Sequence, residues 1–141
     1  MEEEIQIEID KGTTDSFAMV VCDVNGLKQV NDEQGHQAGD EYIRAACHMI
    51  CHIYDHSPVF RIGGGEFVVI LRGADYENRV TLLEQMKSTA LANQESGGVI
   101  VAAGMADYDG DATIAAVFER ADKEMYENKY QLKRSGKRTY G

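Results

Sequence analysis

Residues 58–71 read Pro-Val-Phe-Arg-Ile-Gly-Gly-Gly-Glu-Phe-Val-Val-Ile-Leu. Three consecutive glycines separate two β-prone runs, Pro58 to Ile62 and Glu66 to Leu71. Glycine is the residue that supplies sharp backbone turns, so the two runs read as an antiparallel hairpin. A hairpin in mid-chain is a strong constraint. The segments before and after it must build the rest of one sheet around it.

The flanking segments meet that demand. Ser16 to Val24 is a short apolar run ending in Asp23-Val-Asn-Gly, a turn signal, and reads as a buried strand. A short helix from about Leu27 to Glu33 follows, then a loop, Gly35 to Asp40. From about Asp40 to Tyr54 the apolar residues Ile43, Ala46, Cys47, Ile50, Cys51 and Tyr54 recur at helical spacing. Residues 75–93 form a further amphipathic helix with Val80, Leu83, Met86 and Ala90 inward. Gly98 to Ala106 is a strand. Thr113 to Lys133 is the last helix, burying Ile114, Val117, Phe118, Ala121, Met125 and Leu132. The order β-α-α-β-β-α-β-α predicts an α+β fold, a ferredoxin-like palm with a mostly antiparallel sheet and helices packed on it. Residues 1–15, where Ile5, Ile7 and Ile9 alternate with acids, are expected to form a helix or extension. Residues 16–134 form the domain, and the basic residues 135–141 a flexible tail.

Composition narrows the function. The chain has 141 residues, room for one domain, and 43% hydrophobic residues, enough for a core. The longest uninterrupted apolar run is Phe17 to Cys22, far short of the roughly 20 residues a membrane span needs. The acidic N-terminus lacks the basic start of a secretory signal. A net charge of −10 argues against a polymeric nucleic acid partner. Three cysteines, Cys22, Cys47 and Cys51, make no even disulfide set, so a reduced, cytoplasmic setting is expected. Cys47, His48, Cys51 and His52 suggest zinc, but their spacing departs from common ligand patterns. Cys47 and Cys51 also fall on the apolar face, where a small hydrophobe is the simpler reading.

The residues with chemistry cluster around turns. Asp23 stands where the first strand leaves the sheet, and the glycine hairpin lies beside it if the two pair. A carboxylate there suits Mg²⁺, which is held by one or two carboxylates plus substrate phosphates. The glycines permit close approach of backbone and phosphate. Each residue also has a plainer reading, since Asp, Asn and Gly are common turn formers and surface lysines are common.

Four separated motifs narrow the choice. They are Asp23-Val-Asn-Gly-Leu-Lys28-Gln-Val-Asn31-Asp32, Gly35-His36-Gln-Ala-Gly39-Asp40, Arg61-Ile-Gly-Gly-Gly-Glu66-Phe, and Ala121-Asp122-Lys-Glu-Met125-Tyr126-Glu-Asn-Lys129. In this order and spacing they resemble the GGDEF family, the diguanylate cyclases, over residues 17–133. The resemblance implies a domain that binds GTP with Mg²⁺ (or Mn²⁺). Two such domains, transiently paired, condense two GTP molecules to cyclic di-GMP with release of pyrophosphate. It also implies a sensor domain in a longer chain. By position, Asp23 and the carbonyl of Val24 match metal ligands, and Asn31 and Asp40 match the pair that reads guanine. Lys28 and Lys129 match phosphate-binding lysines, and Lys133, one turn beyond Lys129, takes the place of a second basic residue. Gly63 and Gly64 match the glycines of the signature, and Glu66 its last carboxylate.

Three departures stand out. The third signature position, normally an aspartate or glutamate that binds metal, is Gly65. Glu66 could replace it only with a one-residue shift of the turn, because neighbours on a strand face opposite ways. Cyclisation is therefore expected to be weak or absent, with an inactive GTP-binding or partner-regulating module as the alternative. The Arg-x-x-Asp motif of product inhibition is replaced by Tyr54 and Ser57. The family's usual segment before the first strand is missing, as if the chain had been trimmed from a longer one. Asp107-Tyr-Asp109-Gly-Asp111 imitates a calcium loop, but positions 6 and 12 are Ala112 and Phe118 rather than Gly and Glu. It reads instead as an acidic loop that caps the last helix through Asp111.

Overall fold

The computed structural model describes residues 16–135. The expected N-terminal extension and the tail beyond Ser135 lie outside the described residues. Four strands, β1 (Ala18–Asn25), β2 (Val59–Arg61), β3 (Glu66–Leu71) and β4 (Ile100–Asp107), form one sheet in the order β2-β3-β1-β4, every neighbouring pair antiparallel. This is the palm order expected from the central hairpin. Five helices complete the chain: α1 (Leu27–Gln34), α2 (His36–Ile53), α3 (Gly73–Glu77), α4 (Arg79–Ser96) and α5 (Ile114–Ser135).

The strands are apolar on both faces because both are covered. Ala18, Val20, Cys22 and Val24 of β1 join Phe67, Val69, Val101 and Ala103 in a core closed by Ala46, Ile50 and Ile53 of α2 and by Tyr54. The alternate residues Met19 and Val21 join Val68, Ile70 and Ala102 in a second core closed by Val117, Ala121, Met125 and Leu132 of α5. The period of two along each strand thus sorts residues between two helical layers. Helix α4 contributes Met86 to one core and Ala90 to the other.

Two helix boundaries differ from the sequence reading. Residues 35–40 are not a loop: only Gly35 separates α1 from α2, which begins at His36. Gly35 N–H closes the turn on the Asn31 carbonyl at 2.9 Å. Nothing in His-Gln-Ala breaks a helix, so α2 runs through Asp40. The predicted helix 75–93 is two helices broken at Asn78, and Val80, expected inward, is 59% exposed because it starts α4 beyond the core. At α5, the expected Asp111 cap is replaced by Thr113, whose Oγ1 accepts from Ala116 N–H at 3.2 Å. Asp111 instead accepts from Asp109 N–H and pairs with Arg120.

The seating of α5 on the sheet depends on Gly104. A Cβ there would come within 2.1 Å of Met125 N and 2.4 Å of Ala121 O, both backbone atoms that cannot swing aside. Substitution Gly104→Ala is expected to cost about 3 kcal/mol or more, the upper range for overpacking. Gly64→Ala, where a Cβ meets nothing within 4 Å, is expected to be near neutral. Urea unfolding of the two variants side by side checks this; equal midpoints would contradict it.

Candidate functional site

Asp23 is the last β1 residue paired to β3, and its Cα partner is Glu66. Val24 N–H donates to the Gly65 carbonyl at 2.8 Å, which makes Asp23 and Glu66 a non-hydrogen-bonded pair. In such pairs the side chains share a face with Cβ atoms about 4.5–5.5 Å apart. Like charges directly opposite repel, and α5 supplies the compensation. Lys129 Nζ lies 2.7 Å from Asp23 Oδ2, both side chains largely withdrawn from solvent. The hairpin does lie beside Asp23, as the palm topology required.

A cavity of about 740 Å³ opens at this end of the sheet. Its size falls within the range of small-molecule sites, about 300–1,000 Å³. Asp23, Val24 and Asn25 of β1 form one wall and Gly65 closes the hairpin side. Lys28 and Asp32 of α1 face Lys129 and Lys133 of α5 across it. Lys28 and Asp32 are four residues apart, so the helix places them on one face. That spacing was readable in the sequence, yet Asp32 and its neighbour Glu33 were not among the expected site residues. Asn25 was also missed. It is 2% exposed, and neither polar atom of its side chain has a partner.

Other expected residues stand apart. Asn31 and Asp40 do not line this cavity. Asn31 packs against Gly39 so closely that a Cβ on Gly39 would fall 1.7 Å from Asn31 Oδ1, and Asp40 is exposed one residue further on. Asn31 thus meets α2 one residue before Asp40, and neither residue is in the cavity wall. Gly63 and Gly64 are exposed outside the wall, and their carbonyls accept from Arg61: Nε at 3.1 Å from Gly63 O, Nη2 at 2.7 Å from Gly64 O. Glu66 shares a rung with Asp23 but does not line the cavity either. Tyr54 and Ser57, at the positions of the missing inhibitory motif, have structural roles. Tyr54 is fully buried, and Ser57 Oγ donates to the buried Asp75 carboxylate.

The family model for the diguanylate cyclase GGDEF domain matches residues 1–135. The chain belongs to the GGDEF family. It is 31% identical over 125 residues to the diguanylate cyclase DgcP of Pseudomonas aeruginosa, covering 84% of this chain. It spans only 18% of that protein's length, and 40% and 42% of two further curated diguanylate cyclases, from Escherichia coli and Shewanella oneidensis. Among solved structures, it resembles the active GGEEF domain of a Vibrio cholerae diguanylate cyclase with a TM-score of 0.72 at 23% identity, covering 92% of this chain and 90% of that one. The GGDEF domain of DgcB from Caulobacter crescentus, solved with cyclic di-GMP, gives 0.72 at 24% identity, covering 92% and 82%. At these identities the structural likeness establishes the fold. No helix among the described residues is long and apolar enough to cross a membrane.

The α5 motif, Ala121 to Lys129, also carries Asp122, seven residues before Lys129 and so on the same helix face. Burial, and then the charge of Asp23, raise its carboxyl above the ordinary 3.8. A raised carboxylic acid binds its proton more tightly folded than unfolded. Its contribution to stability is therefore full below pH 3.8 and is lost as pH climbs through the raised native value. Asp122→Asn removes that loss. The variant is expected to gain stability relative to the parent at pH 7 and to show no such gain at pH 3. Thermal unfolding at the two pH values checks the sign; a pH-independent difference would contradict it.

Proposed function

We infer that this GGDEF domain binds GTP in the cavity between β1, α1 and α5, and cyclises it to cyclic di-GMP poorly or not at all. The observation that carries the reading is the position of Gly65. Gly65 lines the cavity, and a Cβ built on it lies 3.7 Å from the Val24 carbonyl oxygen, with only Leu27 and Val24 side-chain atoms nearer, at 3.4 Å. A carboxylate at this position would stand beside Val24 O, in the lining of the cavity that Asp23 also borders. Glycine leaves that cradle one carboxylate short.

The remaining donors suit a single Mg²⁺ (or Mn²⁺). Asp23 and Val24 both line the cavity, and a magnesium ion takes one or two oxygens such as theirs and completes its shell with water and phosphate. They do not suit two dications. Among the described residues, no three His, Cys, Asp or Glu side chains are grouped to hold a metal. When bound, the ion supplies charge neutralisation to the phosphates. Lys28, Lys129 and Lys133 bind the phosphates in this reading, Lys129 exchanging its contact with Asp23 for one with the ligand. Asn31 and Asp40, outside the cavity wall, read the guanine edge, for which an amide and a carboxylate offer matching acceptors and donors. Cyclisation requires a second GGDEF domain facing the first. A sensor domain elsewhere in a longer chain and a cytoplasmic location fit the family and the free cysteines.

Loss of a reacting-centre group of this class costs on the order of 10⁴-fold in rate. The backbone at Gly65 is not in the left-handed region, so an aspartate is tolerated there. Incubation with GTP and Mg²⁺ followed by chromatography of the nucleotides, with Gly65→Asp run in parallel, tests the reading. Cyclic di-GMP from the variant alone is the expected result. Equal product from the unchanged protein would show that Asp23, Val24 O and Glu66 suffice. GTP binding by both proteins with product from neither would favour a module that binds nucleotide without chemistry.

A further inference from the structure

Helix α2 carries a second constellation, on residues that the nucleotide cavity does not use. The sequence reading set Cys47 and Cys51 aside as apolar-face packing residues. The structure overturns that for Cys51, which is exposed, while Cys47 is half-buried. The two sulfurs approach to 3.8 Å across one helical turn. All three thiols are free, but Cys22 is buried in the core, and burial pushes its thiol up to about 12.

We propose that Cys47 and Cys51 chelate one thiophilic divalent cation of the Zn²⁺ or Cd²⁺ type through their two sulfurs. The argument is geometric. Tetrahedral zinc holds each thiolate at about 2.3 Å, which sets two ligand sulfurs about 3.8 Å apart. The pair already stands at that edge length, on a regular helix, with one sulfur open to solvent. Neither thiol needs to leave its place for a metal to bridge them. Softness selects the ion: thiolates prefer Zn²⁺ and its heavier relatives to Mg²⁺ or Ca²⁺. The site therefore does not compete for the magnesium of the nucleotide cavity.

The protein supplies two ligands, and solvent completes the tetrahedron. His48 and His52 lie on the same stretch of helix but outside the chelate. Among the described residues, no third His, Cys, Asp or Glu side chain joins the two sulfurs to hold a metal. The open coordination positions make this an exchangeable site rather than a closed structural one. Partial burial and the hydrogen bond with Cys47 raise the Cys51 thiol above its usual value. Binding therefore displaces thiol protons.

The test is titration of the reduced, folded protein with CdCl₂, followed by the thiolate-to-cadmium charge-transfer band in the ultraviolet. Native mass spectrometry gives the stoichiometry, and ZnCl₂ is then added as competitor. The expected result is saturation at one Cd²⁺ per chain, reversal by Zn²⁺, and loss of the band in Cys47→Ser and in Cys51→Ser. Cys22→Ser, His48→Gln and His52→Gln are expected to retain it. Circular dichroism confirms that each variant is folded. Absence of the band in the reduced protein would overturn the proposal. So would its persistence in either serine variant at position 47 or 51, its loss in a histidine variant, or a stoichiometry of one metal per two chains.

Discussion

The last rung of the β1–β3 ladder carries the rest of the site. Asp23 and Glu66 face each other there, and one residue on, the Val24 N–H donates to the Gly65 carbonyl. That bond holds the glycine hairpin against the exit of β1. It fixes which side of the hairpin meets the cavity: Gly65 does, Gly63 and Gly64 do not. It also places two acidic residues side by side, an arrangement that is unfavourable without a cation. Lys129 of α5 meets that demand, and α5 can come close enough only because Gly104 offers no side chain beneath it. Ladder register, helix seating and site electrostatics are therefore one linked arrangement.

The same rung keeps position 65 distinct from Glu66. Adjacent strand residues face opposite ways, so Glu66 lies on the Asp23 side while position 65 looks towards the Val24 carbonyl and Leu27. The two positions are not interchangeable within this register. A slip that brought Glu66 into the place of Gly65 would turn every apolar residue of β3 to the wrong layer. With both layers covered by helices, that slip is strongly opposed. Positions 65 and 66 are thus held in their separate orientations by the core.

Much of the fold was legible in the sequence because its strongest signals are local. The hairpin, the strand of Phe17 to Cys22 and the apolar spacing of α5 are all present within short windows. The misreadings share a physical origin. Gly35 to Asp40 reads as a loop by composition, yet a single glycine makes the turn and the helix starts at once. Val80 and Cys51 fit an apolar periodicity that the packing does not use. Spacing reports which residues share a face, and only the sheet decides how far along the helix that face is covered. In the site, Asp23, Val24, Lys28, Gly65 and Lys129 converge from three of the four motifs, far apart in the chain, with Lys133 one turn beyond the last. Asp32 was readable from its spacing to Lys28. The buried, unpartnered Asn25 side chain has no sequence signal, because its burial depends on how the α1–α2 pair closes over the strand end.

The most direct test of this account is residue-resolved. Amide spectra of isotope-labelled protein recorded with and without GTP and Mg²⁺ would locate the ligand independently of any turnover. The account predicts shifts concentrated at Asp23 to Lys28, Gly65 and Lys129 to Lys133, with the far end of the sheet around Ala18 and Asp107 unmoved. Saturable shifts centred elsewhere, or none at millimolar nucleotide, would contradict the assignment of this cavity as the nucleotide site.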